Sequence, residues 1–120
     1  MMKENPSLTS RYSRFLVKQE SCWADEDSIK ASAHPVDLSS PAYTGAGIPL
    51  LFDEGILHVD NSDGHTLING STGSKKTRLF IMPTINILIG AGETFIATDP
   101  KGELYDRTAG YAKAKGYNLV

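Results

Sequence analysis

The order of apolar runs and turn signals predicts an α/β fold with a parallel sheet. Three observations carry that expectation. The run Thr66-Leu67-Ile68 leads straight into Gly70-Ser71-Thr72-Gly73-Ser74-Lys75-Lys76-Thr77, and a long apolar stretch at helical spacing follows. A short apolar run, Thr94–Thr98, comes next, and a second helical pattern runs over Glu103–Lys115. Tyr117-Asn118-Leu119-Val120 then begins a third apolar run. Strand, helix, strand, helix, strand is the pattern of helices crossing between parallel strands. Three strands make a small sheet, and an end in mid-strand reads as a truncated domain.

The elements follow in chain order. Residues 1–20 are polar and mixed, a tail with room for a short helix over Ser10–Gln19. Asp25-Glu26-Asp27 opens a helix running through Ile29 to Ala31, because carboxylates favour the positive end of the helix dipole. Trp23, just ahead of it, is expected to pack, since tryptophan chiefly supplies apolar area. His34 to Gly47 reads as a connector punctuated by Pro35, Pro41, Gly45 and Gly47. Residues 1–50 are thus a tail and connector, with 51–120 as the folded part. Ile48-Pro49-Leu50-Leu51-Phe52 suits a short strand, held to a sheet edge by Pro49, and Asp53-Glu54-Gly55 turns the chain. Ile56–Asp60 and His65–Asn69 flank Asn61-Ser62-Asp63-Gly64, whose Asp-Gly pair suits a tight hairpin turn.

The stretch Gly70–Thr77 carries the strongest chemical signal. Strand, glycine-containing loop, Lys-Thr and helix is the order of a phosphate-binding loop. Such a loop aims backbone N–H groups at phosphate oxygens, and the helix N-terminus adds partial positive charge. Lys76 is then the phosphate lysine and Thr77 the hydroxyl offered to Mg²⁺. Lys75 departs from the pattern, which places glycine immediately before that lysine. Glycine lets the backbone approach the ligand and takes φ values that a Cβ resists. The helix expected over Lys76–Ile89 is apolar nearly all round, so it should be largely buried. Pro83 should bend or interrupt it, and Gly90-Ala91-Gly92 should end it. Asp99 closes an apolar run as a Mg²⁺-holding aspartate does; a turn-forming Asp before Pro100 is the alternative. Gly116 caps the second helix, on which Leu104, Thr108, Tyr111 and Ala112 share one side.

Composition bounds the function classes. The formal charge of −2 makes no case for a nucleic-acid binder, although the charge is uneven. From Gly70 onward there are seven Lys/Arg against four Asp/Glu, and before it five against ten. The half that holds the loop is therefore the basic half, which suits a phosphate-rich ligand. Cys22 is the only cysteine, so no intrachain disulfide forms, and a reducing compartment is the default. The early apolar run Phe15-Leu16-Val17 is far short of the ~20 residues that span a bilayer. His34, His58 and His65 lack metal-ligand spacing, and Lys113 and Lys115 suit the negative end of a helix dipole.

The loop, Pro83 six residues beyond its threonine, and Asp99-Pro100-Lys101-Gly102-Glu103-Leu104 occur together here. With Thr108-Ala109 and Gly116-Tyr117-Asn118-Leu119-Val120 they resemble the TraG/TraD-type coupling proteins of conjugation and type IV secretion. The resemblance covers about residues 56–120, with a weaker echo at Cys22-Trp23-Ala24. It implies that 51–120 is part of a RecA-like P-loop NTPase motor domain, truncated at its C-terminus. It also implies ATP and Mg²⁺ as ligands. Gly70, Ser71, Thr72, Gly73, Ser74, Lys75, Lys76 and Thr77 would bind the phosphates, with Thr77 at the metal. Members of that family are hexameric ATPases anchored at the cytoplasmic face of the membrane. They take relaxase–DNA complexes or protein substrates to a secretion channel. The membrane helices, the later acidic strand end, the remaining core strands and the inserted helical domain have no counterpart in this sequence. The chain alone is therefore not expected to translocate a substrate. Three readings stay open: a piece of a coupling ATPase, a degenerate non-hydrolysing remnant or partner of such a motor, and an unrelated small P-loop phosphotransferase.

Overall fold

A computed structural model of the chain describes residues 23–120. The helix expected over Ser10–Gln19 and Cys22 lie outside the described residues. The order is helix α1 (Glu26–Ser32), strands β1 (His34–Asp37), β2 (Ile48–Asp53) and β3 (Ile56–Asp60), then a π-helical turn (Thr77–Ile81) running into α2 (Met82–Ala91), and finally α3 (Glu103–Ala114).

Helix α1 forms where the acidic cluster predicts it. Asp25 is its N-cap, and its carboxylate accepts the Ser28 N–H at 2.8 Å. That hydrogen bond satisfies one of the donors that a helix start leaves unpaired. Lys30 ties the helix to Asp53 on β2 through a salt bridge. The expectation for Trp23 fails: it is 98% exposed. The helix that it precedes has no buried residue either, so among the described residues this helix offers the indole no buried face to join.

The sheet is antiparallel, in the order β1-β3-β2. This corrects the parallel sheet and also the position of the hairpin. The hairpin joins β2 to β3 across Glu54-Gly55, pairing Asp53 with Ile56 and Phe52 with Leu57. Both turn residues have positive φ, 47° and 87°. Two such residues give the mirror-image turn whose twist matches that of paired strands. His65–Asn69 forms no strand, and the Asn61–Gly64 turn chemistry is used otherwise: the Asp60 carboxylate accepts the Ser62 N–H at 3.0 Å. Strand β1 arises inside the expected connector and pairs with β3 on its other side, Val36 opposite Leu57. Both prolines within strands, Pro35 and Pro49, sit on edge strands, and the register of β2 slips between Pro49 and Leu51. A proline cannot donate to a ladder, so an edge is where the sheet tolerates it. The sheet thus draws strands from both sides of residue 50.

Helix α2 is the centre of the molecule. Ile87 joins Val36 and Val59 in one apolar cluster, with Tyr43, Ala46 and Leu57 packed around it. Ile85 and Ile89 join Ala112 of α3 in a second cluster, bordered by Phe95, Leu104, Tyr117 and Leu119. A helix gripped on two sides needs apolar residues on both, which accounts for its rear half; the expected burial fails for the front, where no residue of Thr77–Ile81 is buried and Leu79 and Ile81 are 56% and 41% exposed. Val36, Val59 and Ile89 are the most completely enclosed large side chains, each stabilising the fold by about 1.5–3 kcal/mol. Two tyrosine hydroxyls fasten the same turn of α2: Tyr43 to the Ile87 carbonyl at 3.4 Å, Tyr117 to the Leu88 carbonyl at 3.1 Å. Gly90 faces the Tyr43 hydroxyl so closely that a Cβ has no room. Gly92, at φ 78°, ends the helix as expected, with the Glu93 N–H bonded to the Leu88 carbonyl.

Pro83 acts as anticipated. The α-helical register begins at Met82, and the turn before it is wide, with the Met82 N–H bonded to the Thr77 carbonyl five residues back. Proline has no N–H for the carbonyl four residues earlier, and a π-turn is one way to rearrange the bonds around that gap.

The other expected parallel strands are absent. Thr94–Thr98 and Tyr117–Val120 carry no strand pairing, and neither does Leu67–Asn69. Glu93, Asp99 and Tyr117, which border or begin two of these runs, are committed to helix caps instead. The Tyr117 N–H bonds to the Ala112 carbonyl, closing α3, and its hydroxyl also reaches the Glu93 carbonyl at 2.8 Å. Leu67 and Ile96 are 91% and 98% exposed. An apolar run becomes a strand only when a neighbouring ladder takes its N–H and C=O groups.

Candidate phosphate-binding site

Residues 70–77 form a closed bend. The Ser74 N–H bonds to the Ser71 carbonyl at 3.2 Å, and Gly73 takes the left-handed conformation at φ 84°. Gly70 lies against Ser74: a Cβ there would stand 2.7 Å from the Ser74 hydroxyl. This is the close approach for which glycine is suited.

The Lys76 ammonium sits inside the bend. It donates to the Gly70 carbonyl, to the Ser71 carbonyl at 2.9 Å and to the Ser74 hydroxyl at 3.2 Å. An ammonium has three donors, so all three are satisfied by the loop itself. Lys76 and the following Thr77 are half-buried, whereas Gly70–Lys75 are exposed. Thr77 is the first residue of the π-turn, and no side chain caps this start of the helix. The first N–H groups of a helix have no carbonyl to pair with, and they carry its positive end.

Lys75 has φ 61°. The one position where the loop departs from the glycine pattern is thus held in the backbone region that glycine tolerates best. A side chain there costs about 1–2 kcal/mol.

The bend opens onto a cleft of about 620 Å³ lined by Gly73, Ser74, Lys75, Lys76, Thr77, Arg78 and Met82 from its own side and by Glu103 and Arg107 from α3. Four cations against one carboxylate make it a basic cleft, and low-dielectric walls strengthen such a field on an anion. Of the residues singled out from the sequence, Gly73, Ser74, Lys75, Lys76 and Thr77 meet in this lining. Gly70 and Ser71 support it from below, as acceptors for Lys76. Thr72 belongs to the bend as an exposed turn residue.

Arg78 and Arg107 are not evident from the sequence motif. The i,i+4 spacing of Glu103 and Arg107 puts them on one face of α3, but which face meets the loop is decided by the packing of α3 on α2. Asp99 has a structural task. Gly102, the N-cap of α3, has no side chain to cap with, and the Asp99 carboxylate takes its place by accepting the Tyr105 N–H at 2.9 Å. Gly102 itself turns at φ 72°, its N–H bonded to the Asp99 carbonyl at 3.2 Å. The turn-forming role is therefore the one in which this aspartate is engaged.

Among the described residues no group of three or more His, Cys, Asp or Glu is arranged to hold a metal ion, and no helix is long and apolar enough to cross a membrane. The lysine, the helix start without a side-chain cap and the basic lining are the groups an anionic ligand would draw on here. A Mg²⁺ that arrives with phosphates keeps most of its waters and needs few protein ligands, and Thr77 is among the residues that line the cleft.

A family model described as type IV secretory system conjugative DNA transfer matches residues 16–120. No curated protein matches the chain, and no solved structure does.

Proposed function

From the premise that the chain belongs to the type IV secretory system conjugative DNA transfer family, we propose that it binds ATP through residues 70–77 as the nucleotide-binding part of a coupling ATPase. Membership makes conjugative DNA transfer its setting. The finer reading is the nucleotide, and one observation carries it: Lys76 lies within a closed bend at an uncapped helix start, over a basic cleft. The Lys76 ammonium would exchange the Gly70 and Ser71 carbonyls for phosphate oxygens, a trade of neutral acceptors for charged ones that strengthens each hydrogen bond. Backbone N–H groups of the first helical turn would take further phosphate oxygens. The Thr77 hydroxyl would face the Mg²⁺ that accompanies them.

The unpaired apolar runs at Leu67, Ile96 and Leu119 agree with a motor domain of the RecA-like type. There these runs would serve as strands beside partners that the described residues do not supply. In that setting the motor would work as a hexamer at the cytoplasmic face of the membrane, delivering relaxase–DNA complexes to the channel.

Isothermal titration of the full chain with Mg²⁺-ATP tests the reading. Wild type is expected to bind and Lys76→Ala to bind at least tenfold more weakly, as follows from losing charge-assisted hydrogen bonds of about 1.5–3 kcal/mol. No heat with wild type, or equal affinity in the variant, overturns it. A second reading rests on Lys75: with a strained side chain at the glycine position, the chain holds nucleotide without turnover, as a non-hydrolysing partner. Binding with no phosphate release supports the second reading, and steady release supports the first.

A further inference from the structure

Three features of the cleft remain unexplained by the loop alone. Arg107 reaches it from α3, thirty residues along the chain from Thr77, so a ligand lying between them would join two separate elements. Among the described residues its guanidinium is paired with Glu103, at 3.4 Å, and both side chains are half open to solvent, 62% and 49% exposed. A pair so placed is weakly held, because solvent screens it and two long side chains must be kept in one geometry. The Lys76 ammonium, by contrast, has every donor engaged by the loop.

From these we infer that Arg107 is the cleft's second phosphate ligand, that it contacts the terminal phosphate of a nucleoside triphosphate, and that Glu103 is its resting partner. The inference rests on the reading of residues 70–77 as a nucleotide site. The N–H groups of the bend and helix start take the inner phosphates, and Lys76 reaches from them towards the outer ones. Arg107 lines the same cleft from α3, and in this reading it takes the phosphate at the end of the chain. Its planar fork matches a phosphate in the two-pronged manner that a lysine does not. Exchanging a screened carboxylate for a doubly charged phosphate favours the move, and the departing Glu103 stays in water at little cost. The cleft then distinguishes a triphosphate from a diphosphate by length. It draws α3 towards the loop only when the longer ligand is present.

The test is titration of the full chain with Mg²⁺-ATP and with Mg²⁺-ADP, for wild type, Arg107→Gln, Arg107→Lys, Glu103→Gln and Lys76→Ala. Arg107→Gln is expected to weaken ATP about tenfold while leaving ADP within about twofold, in line with loss of one charge-assisted contact. Arg107→Lys should fall between, keeping the charge and losing the fork. Glu103→Gln should tighten ATP about two- to fivefold, the range set by the worth of an exposed pair. Arg107 is exposed and belongs to neither apolar cluster, so circular dichroism should report an unchanged fold. Equal weakening of ATP and ADP by Arg107→Gln, or no effect on either, overturns the inference. If Lys76→Ala weakens ATP while Arg107→Gln does not, only the role of Arg107 falls. If wild type binds neither nucleotide, the nucleotide site itself falls, and Arg107 with it.

Discussion

Lys75→Gly should make the protein more stable, although it removes a side chain and adds a glycine. Lys75 is held at φ 61°, where a Cβ crowds the neighbouring carbonyl at a cost of about 1–2 kcal/mol. Glycine removes that cost but loses more backbone freedom on folding, about 0.5–1 kcal/mol. The difference favours glycine by about 0.75 kcal/mol at mid-range, or about 3–6 °C in Tm for a domain near this size. Lys75→Ala, which keeps the Cβ, should give no gain, and Lys75→Asn should fall between because asparagine tolerates the left-handed region. Urea titrations followed by far-ultraviolet circular dichroism are the assay. Tryptophan emission is unsuitable, because Trp23 is 98% exposed and does not report the core. An alanine variant as stable as the glycine variant, or a glycine variant no more stable than wild type, would refute the backbone argument and leave Lys75 unstrained.

Two further outcomes follow from other parts of the structure. Asp99→Ala removes the acceptor for the Tyr105 N–H and should cost about 1 kcal/mol, the usual worth of a helix cap; hydrogen exchange at Tyr105 should speed up more than at Thr108, and a denaturation midpoint unchanged from wild type would argue against the cap. Asp25, Asp37 and Asp60 each have a carboxyl pKa lowered below the ordinary 3.8, chiefly by hydrogen bonds from Ser28, Ser39 and Ser62. A group more acidic in the folded chain binds fewer protons there, so its stabilisation is complete above the unfolded value and lost as pH falls through the lower folded one. Stability should therefore decline below about pH 4, and a variant with all three changed to Asn should show a shallower decline in the acid limb of a pH–stability curve.

The parts of this fold that could be read from the residues are those fixed by local chemistry. The acidic opening of α1, the Glu54-Gly55 turn, the Gly92 and Gly116 helix ends and the proline interruption all depend on neighbours a few positions away. So does the loop: its closed bend and the unusual backbone at Lys75 follow from where glycine is present and where it is missing. Pairing was not legible. His65–Asn69 has as much strand character as Ile48–Asp53, yet β3 pairs with the latter and with β1, because a strand takes its partner from the whole fold. Trp23 shows the same limit for burial, as a large apolar residue packs only where apolar surface faces it. Arg107 shows it for the cleft. Its spacing from Glu103 was visible, but the wall on which both stand comes from the contact between α2 and α3.

The wide turn at Thr77–Ile81 carries no buried side chain of its own. Every buried side chain of the central helix, Ile85, Ile87 and Ile89, lies beyond Pro83, so the packing that anchors it is confined to its rear. Residues 70–77 therefore lie ahead of both apolar clusters in the chain and contribute no side chain to either. The residues that keep the molecule's shape are thereby separated from those that would meet a visitor.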